Sequence, residues 1–229
     1  MNRRPLVLAG TVTVLAMLAV SAWGWAQIPP GAEIPIHWGI DGRPDNFAPK
    51  ELALLALPAG ALVLLAVALA LPSVEPRRGN LVRSATAYRA IWIGVFALLL
   101  GVHAVSVLAA TGADLPIATI ATGAAGILLV IVGNFLGKIR SNFFVGIRTP
   151  WTLTSERAWS RTHRLGGRLF VVLGAALLVT AIVGAGSGIL VAILGAGLFG
   201  IVITLFVYSY LVWRGDPDRQ RFGPQGGAS

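Results

Sequence analysis

Residues 133–168 read GNFLGKIRSNFFVGIRTPWTLTSERAWSRTHRLGGR, a polar and basic stretch that lies between two long apolar runs. It contains 7 of the 18 Lys and Arg residues of the chain and 2 of its 7 Trp residues. Pro150 has no amide hydrogen and disfavours helix at Thr149, so the residues before it cannot form a straight helix. The stretch therefore predicts a bent basic loop that leads into a new helix.

The rest of the chain is hydrophobic enough to be embedded in lipid. Of the 229 residues 56% are hydrophobic and 12% are charged, and the mean hydropathy is +0.79. A helix needs roughly 20 apolar residues to cross the hydrocarbon core, and helices are favoured over strands because backbone groups in lipid must be paired within the segment. Six spans are predicted, of which the fifth is short and open to an earlier start in the basic stretch: 5–26, 52–71, 88–110, 115–136, 169–183 and 189–213.

The placement of positive charge predicts an orientation. With the N-terminus inside, 16 of the 18 Lys and Arg residues fall on the inner side, against Arg43 and Lys50 on the outer side. Because cytoplasmic loops are enriched in Lys and Arg, both termini are predicted to be cytoplasmic. The formal net charge of +9 then reflects topology and attraction to anionic lipid headgroups, and no nucleic-acid partner is predicted.

The chain is interpreted as one polytopic membrane domain, 1–229, an all-α six-helix transmembrane bundle. Its first span is predicted to be retained rather than cleaved as a signal peptide, since the apolar run continues through Trp23 and Trp25. Its other predicted parts are an outer loop at 27–50, a cytoplasmic basic segment at 137–168 and a disordered, Gly-rich tail at 215–229. In the outer loop a short extended run is expected over 34–38, followed by turns to residue 45.

Within the basic segment the spacing predicts a helix lying at the cytoplasmic interface. Thr154 is the predicted N-cap, and Glu156 lies in the first turn, where a carboxylate favours the helix dipole. One face repeats arginine and the opposite face carries a Trp-His pattern directed at the bundle. The residues of the two faces are Arg157, Arg161, Arg164 and Arg168, then Trp159, Thr162, His163 and Gly166.

This segment holds the strongest candidate site. Cation, acid, imidazole and indole groups occur together near one membrane face, a combination suited to binding a protein, a lipid headgroup or a peptide. The alternative is structural: Glu156 pairs with Arg148 or Arg164, and the tryptophans anchor the loop. The candidate partner-binding residues are Asn142, Arg148, Trp151, Glu156, Trp159, His163 and Arg164.

The outer loop has a weaker candidate site in His37, Trp38, Asp41 and Asp45. Imidazole and carboxylates are competent metal ligands, but one histidine at these spacings matches no metal motif. The aspartates in Asp-Gly and Pro-Asp are better explained as turn residues. No metal and no cofactor is therefore predicted here, and Trp38 remains available to meet an extracellular ligand.

Two polar residues inside the spans are functional candidates. His103 lies mid-span in the third helix, and Asn134 follows Gly133 in a Gly-x-x-x-Gly pattern typical of close helix packing. No Asp or Glu lies inside any predicted span, which disfavours a carboxylate-driven proton transporter. The chain also has no Walker-type loop, HExxH, paired catalytic carboxylates, nucleophile elbow or cysteine, so no enzyme is predicted.

Two motifs carry a family resemblance. The order of residues across 142–167 resembles the signature of the SdpI-type immunity family, bacterial membrane proteins that protect against a sporulation-delaying toxin peptide. IPIHWGIDGRPDNFAPK, at 34–50, resembles the N-terminal domain of unknown function often found in the same proteins. The residues that carry the first match are Asn142, Phe144, Gly146, Ile147, Arg148, Thr149, Pro150, Trp151, Thr152, Leu153, Ser155, Glu156, Trp159, Thr162, His163, Arg164, Gly166 and Gly167.

The resemblance implies a multi-pass protein of the bacterial cytoplasmic membrane that resists a membrane-active toxin peptide. It also implies that a small transcriptional repressor is held at the membrane once toxin is present. Toxin sensing would then fall to the outer-loop residues and repressor capture to the cytoplasmic cluster. Two alternatives stay open: a small channel or transporter with His103 and Asn134 along its path, and a membrane regulator with no toxin of its own.

Overall fold

The computed structural model describes residues 1–39, 41 and 43–219, and most of its regular structure is helical. The elements, in chain order, are α1 (Arg4–Gln27), β1 (Glu33–Trp38), β2 (Pro44–Pro49), α2 (Lys50–Val74), α3 (Arg78–Arg83), α4 (Ala85–Ala110), α5 (Ile117–Leu136), α6 (Pro150–Leu153), α7 (Glu156–Ile182) and α8 (Ser187–Arg214). Within the described residues, six of these helices are long and apolar enough to cross a membrane: α1, α2, α4, α5, α7 and α8. The prediction of a six-helix membrane bundle is confirmed.

A small antiparallel hairpin adds the one departure from an all-α fold in the described part of the chain. β1 and β2 pair with Ile34 opposite Ala48 and with Trp38 opposite Pro44. The extended run expected at 34–38 is confirmed, whereas β2 begins inside the stretch expected to be turns. Buried Ile34 packs with Leu54 and Val107, which seats the hairpin on the start of α2 and the end of α4. We call this side of the bundle the hairpin end, and the side that holds residues 137–155 the basic end.

The predicted interfacial helix is not a separate element. Residues 156–182 form one continuous helix of 27 residues, so the earlier start considered for the fifth span is the correct one. Its N-cap is Ser155, whose Oγ accepts the Ala158 N–H at 2.9 Å, and not Thr154. At 1.5 Å per residue the helix is about 40 Å long, more than the roughly 30 Å hydrocarbon core. Its first turns therefore extend beyond the core at the basic end.

Helices α5 and α7 approach each other closely because glycine faces glycine at two levels. A Cβ on Gly133 would lie 2.5 Å from the Gly167 carbonyl oxygen, and one on Gly174 would lie 2.5 Å from the Gly126 carbonyl oxygen. The two glycines on each helix are seven residues apart, so both lie on the same face. Small residues of this kind let two backbones come into direct contact in a membrane.

The remaining helices pack on either side of this pair. α1 lies against α2 and α4, α8 lies against α7, and α4 contacts α5. One apolar core, with Leu6, Leu65, Leu81 and Phe96, joins the N-terminal helices. Within it the Tyr88 hydroxyl donates to the Ala68 carbonyl oxygen at 2.6 Å, which ties α4 to α2.

Candidate functional site

The loop before α7 is closed by the side chain of Asn142. Its Nδ2 donates to the carbonyl oxygens of Arg140 and Val145, both at 2.9 Å. Its Oδ1 accepts the N–H groups of Phe144 at 3.0 Å and Val145 at 2.7 Å. The residue is fully buried, so its side chain shapes the loop from inside the protein.

Trp159 and His163 hold the same loop against α7. The Trp159 indole N–H donates to the Ile139 carbonyl oxygen at 2.7 Å, and the two rings stack with centroids 4.0 Å apart. His163 Nε2 lies 2.9 Å from the Ile147 N–H, and Nδ1 lies 2.8 Å from the Trp159 carbonyl oxygen. Since a backbone N–H only donates and a carbonyl only accepts, His163 is a neutral imidazole with its proton on Nδ1.

Burial therefore divides the predicted cytoplasmic cluster into two groups. The interpretation that the Trp-His face turns toward the bundle is confirmed, because Trp159 and His163 are both buried. Arg148, Glu156 and Arg164 are exposed, and these are the members that a partner can reach. Trp151 is half-buried against α8, with its ring centroid 4.7 Å from that of Phe206.

The predicted ion pairs of Glu156 are not formed. Among the described residues, salt bridges join only His37 to Asp45 and Arg43 to Asp41. Arg148 instead donates from Nη1 to the Phe143 carbonyl oxygen at 2.8 Å. The Glu156 carboxylate and the Arg148 guanidinium therefore remain exposed to solvent.

The sequence did not reveal that Glu75 and Arg77, in the loop between α2 and α4, hold the basic segment in place. Buried Glu75 accepts the N–H of Arg77 at 2.8 Å and that of Phe143 at 3.0 Å. Arg77 donates to the Ser141 hydroxyl and, from Nη2, to the Leu153 carbonyl oxygen at 2.9 Å. Its guanidinium also lies 4.7 Å from the Phe143 ring centroid.

Two neighbours on the same loop between α2 and α4 complete this contact. Asn80 Nδ2 donates to the Ser141 carbonyl oxygen, and Ser84 Oγ accepts the Arg140 N–H, each at 2.9 Å. We call these four residues the inner-loop clamp: Glu75, Arg77, Asn80 and Ser84. The one sequence signal for it is that Glu75 is the sole acid in the basic loop at 72–87.

Loss of the Glu75 carboxylate is expected to loosen the basic segment. In Glu75→Ala two part-buried N–H groups lose their acceptor, and an unpaired group costs up to about 1–3 kcal/mol when it is fully buried. We expect a lower melting temperature in detergent and faster proteolysis between residues 139 and 153. Glu75→Gln keeps an acceptor oxygen and should fall between Ala and wild type. Exposed Glu51 supplies the control, and an unfolding curve of Glu75→Ala that matches Glu51→Ala would contradict the clamp.

The chain after α8 is also tied to this end. Buried Asp216 accepts a hydrogen bond from the Ser155 hydroxyl, and its Oδ1 accepts the Asp218 N–H at 3.2 Å. The expectation of a disordered tail from residue 215 therefore does not hold for residues 215–219, and residues 220–229 lie outside the described residues. A cavity of about 240 Å³ separates this turn from Arg77, Glu156 and Arg157.

At the hairpin end the predicted polar residues are exposed and engaged in local bonds. His37 Nδ1 lies 2.6 Å from Asp45 Oδ1, and Asp41 Oδ1 accepts the Arg43 N–H at 3.0 Å. Within the described ranges no three His, Asp or Glu residues group into a metal site. The two aspartates thus hold the hairpin loop in shape, as the turn interpretation expects.

A groove of about 350 Å³ runs between the hairpin and the bundle, and we call it the hairpin groove. One wall is the face of β1 with Ile36 and Trp38, and the other is the end of α4 and the start of α5. It is lined by Ile36, His37, Trp38, Gly39, Gly101, Val102, Val105, Ser106, Ile117, Ala118, Ile120, Ala121, Thr122, Ala124 and Val191. Most of these side chains are aliphatic, so the groove suits an apolar segment of a ligand.

Buried Lys50, at the start of α2, was not singled out from the sequence. Its Nζ donates to the carbonyl oxygens of Trp25, at 2.7 Å, and Ile28. These carbonyls lie at the end of α1, where a cation is favoured by the helix dipole. Lys50 therefore joins α1 to α2 at the hairpin end and is not an exposed binding residue.

The two polar residues inside the spans lie apart. His103 is buried, with Nε2 2.9 Å from Ser21 Oγ and 3.2 Å from the Met17 carbonyl oxygen of α1. Asn134 is exposed on the outer surface of α5. They do not line one path through the bundle, so the arrangement that the channel alternative requires is not present.

Six spanning helices, a hairpin at one end and a clamped basic loop at the other define a multi-pass membrane protein. The SdpI/YfhL protein family matches residues 138–211, and a domain of unknown function (DUF1648) matches residues 12–62. The chain is a multi-pass bacterial membrane protein that is similar to the SdpI/YfhL family over those residues. It is 27% identical to the immunity protein SdpI of Bacillus subtilis (strain 168) over 180 residues, which cover 78% of this chain and 83% of that protein. No solved structure matches the chain.

Proposed function

We propose that this protein confers immunity to a membrane-active toxin peptide, without enzymatic chemistry, and that it meets the peptide at the hairpin end. The similarity to an immunity protein supports the general role. The observation that carries the proposal is the hairpin groove, an apolar site open at one membrane face. The positive-inside distribution supports an outward-facing hairpin end and cytoplasmic termini.

The groove and its surroundings fit a peptide that is both apolar and cationic. Ile36, on the groove wall, is 48% exposed, so apolar surface is available to a peptide side chain. Of the two cations at this end, Arg43 lies beside Asp41 and Lys50 is buried. Exposed carboxylates surround them and attract positive charge: Glu33, Asp41, Asp45, Glu51 and Asp114.

The test is survival of a sensitive bacterium that expresses this protein and is challenged with a sporulation-delaying-type toxin peptide. Wild type is expected to protect. Ile36→Asp places a charge in the apolar groove and should lower peptide affinity on the order of tenfold or more, with a matching loss of protection. Phe47→Asp is the matched control, because Phe47 is equally exposed at 48% and does not line the groove. No protection by well-expressed wild type, or equal loss in both variants, would contradict the proposal.

The cytoplasmic part of the proposal is capture of a small transcriptional repressor at the basic end. The surface of the basic end that a repressor can reach consists of Arg148, Trp151 and Glu156. Buried Trp159 and His163 hold that surface in position. The same strains give a second readout. A repressor of the toxin genes is expected in the membrane fraction after toxin challenge, and in the cytosol when Arg148→Ala and Glu156→Ala are combined. A repressor that stays cytosolic in the wild-type strain would exclude this part alone.

A further inference from the structure

A second groove, of about 440 Å³, opens on the outer surface of α5 and α7 at the basic end. We call it the basic groove. It lies on the opposite side of the membrane domain from the hairpin groove. Its lining consists of Gly133, Asn134, Gly137, Lys138, Arg164, Gly167, Arg168, Val171 and Val172.

The floor of the basic groove is bare backbone. Gly133 and Gly167 are in direct backbone contact, and Gly137 continues the floor beneath Arg164, whose Cγ would lie 3.3 Å from a Cβ on Gly137. Because these three positions lack side chains, the surrounding polar groups overhang a recess and not a flat helix surface. The recess gives a ligand a defined position below the cations.

The groove has positive charge and no counter-charge. Lys138, Arg164 and Arg168 are exposed, and none takes part in a salt bridge among the residues that the structure describes. Arg164 and Arg168 are four residues apart on α7, a spacing at which like charges destabilise a helix. No acid lines the groove, and the Asn134 amide adds a polar group at its edge. An anion between the two guanidinium groups would relieve their repulsion and accept hydrogen bonds from both.

The groove becomes apolar along α7 in the direction of the membrane interior. One turn beyond Arg168 lie Val171 and Val172, and Val172 is 67% exposed. A ligand that fills the whole groove therefore has an anionic head and a hydrocarbon tail. We propose that the basic groove binds an anionic phospholipid, with its phosphate between Lys138, Arg164 and Arg168 and an acyl chain along the two valines. This assigns Arg164 to lipid and leaves Arg148 and Glu156 for a protein partner.

Native mass spectrometry of the purified protein, incubated with phosphatidylglycerol or phosphatidylcholine, tests this assignment. Phosphatidylglycerol is expected to be retained and phosphatidylcholine lost. Combining Arg164→Gln with Arg168→Gln should weaken retention roughly 30-fold, for two cations near a membrane surface. The matched control combines Arg78→Gln with Arg83→Gln, two exposed arginines of α3 outside the groove, and should retain the lipid. Equal loss in both double variants would overturn the site.

Two further arms separate a shaped lipid site from general attraction of anions. Gly137→Leu fills the recess without a change in charge, at a position with an ordinary helical φ of −67°, and is expected to lose the lipid. Retention by this variant would overturn the proposal. Inorganic phosphate at millimolar concentration should not displace phosphatidylglycerol, since it lacks the acyl chain. Displacement would mean that the groove is a site for free phosphate and would equally overturn the lipid assignment.

Discussion

The variant Gly167→Ala is expected to lower the free energy of unfolding by about 1–3 kcal/mol, the usual cost of overpacking. Its new Cβ would lie 2.6 Å from the Gly133 carbonyl oxygen. That neighbour is backbone inside α5, which cannot rotate away as a side chain would. Relief requires the two helices to move apart along their whole contact. Thermal unfolding of the detergent-solubilised protein, followed by tryptophan fluorescence, measures the loss.

Two other helical glycines make this prediction specific. Gly200, in α8, has nothing within 4 Å of the position that a Cβ would take, so Gly200→Ala should be neutral or slightly stabilising, as expected from helix propensity. A Cβ on Gly197 would lie 2.5 Å from the end of the Leu173 side chain, and that side chain is able to shift. The expected order of stability is Gly200→Ala, then Gly197→Ala, then Gly167→Ala. If Gly167→Ala were as stable as Gly200→Ala, direct backbone contact between α5 and α7 would be refuted.

Gly146→Ala is expected to destabilise the protein by at least about 2 kcal/mol, from two causes that add. Gly146 has φ +119°, and strain of this kind costs roughly 1–3 kcal/mol in a residue with a side chain. In addition, its Cβ would overlap His163 Nε2. The imidazole would have to move, and the part-buried Ile147 N–H would lose its acceptor, at a further cost of up to about 1–3 kcal/mol.

Gly112→Ala separates the two causes. Gly112 has φ +94° and nothing within 4 Å of an added Cβ, so this control variant carries the backbone strain alone. The difference between the two melting temperatures reports the displacement of His163. We also expect altered near-ultraviolet circular dichroism in Gly146→Ala, because the stacked Trp159 ring loses its partner. Equal destabilisation of the two variants, with unchanged circular dichroism, would show that the loop does not depend on His163.

Composition and length were sufficient to predict the six spans, because continuous apolar runs of about 20 residues have few other stable structures. The extent of α7 was harder to predict. Residues 156–168 are too polar for a hydropathy criterion to include them, yet nothing in them stops a helix, and Gly166 and Gly167 are tolerated because they pack against neighbouring helices. Hydropathy therefore places the lipid boundary, and helix propensity together with packing decides where the helix begins.

The candidate site was predictable where it depends on periodicity and not where it depends on distant backbone groups. Helical spacing correctly placed Trp159 and His163 on the buried face and the arginines on the exposed one. Glu75 was missed because its carboxylate accepts a hydrogen bond from the N–H of Phe143, 68 residues away, and any residue at position 143 other than proline would supply that donor. A hydrogen bond to backbone leaves no pattern in side-chain identity.

The inner-loop clamp also has a consequence for synthesis of the chain. Arg77 leaves the ribosome 76 residues before Leu153, the acceptor of one of its hydrogen bonds, an interval of roughly 4–15 s at about 5–20 residues per second. During that time the loop between α2 and α4 has none of its partners from the basic segment. If one of α4 and α5 fails to insert, the basic segment lies on the membrane face opposite the loop, and the clamp cannot close. Closure thus acts as a topological checkpoint, met by a correctly threaded chain and by no chain in which one of those two helices failed to insert.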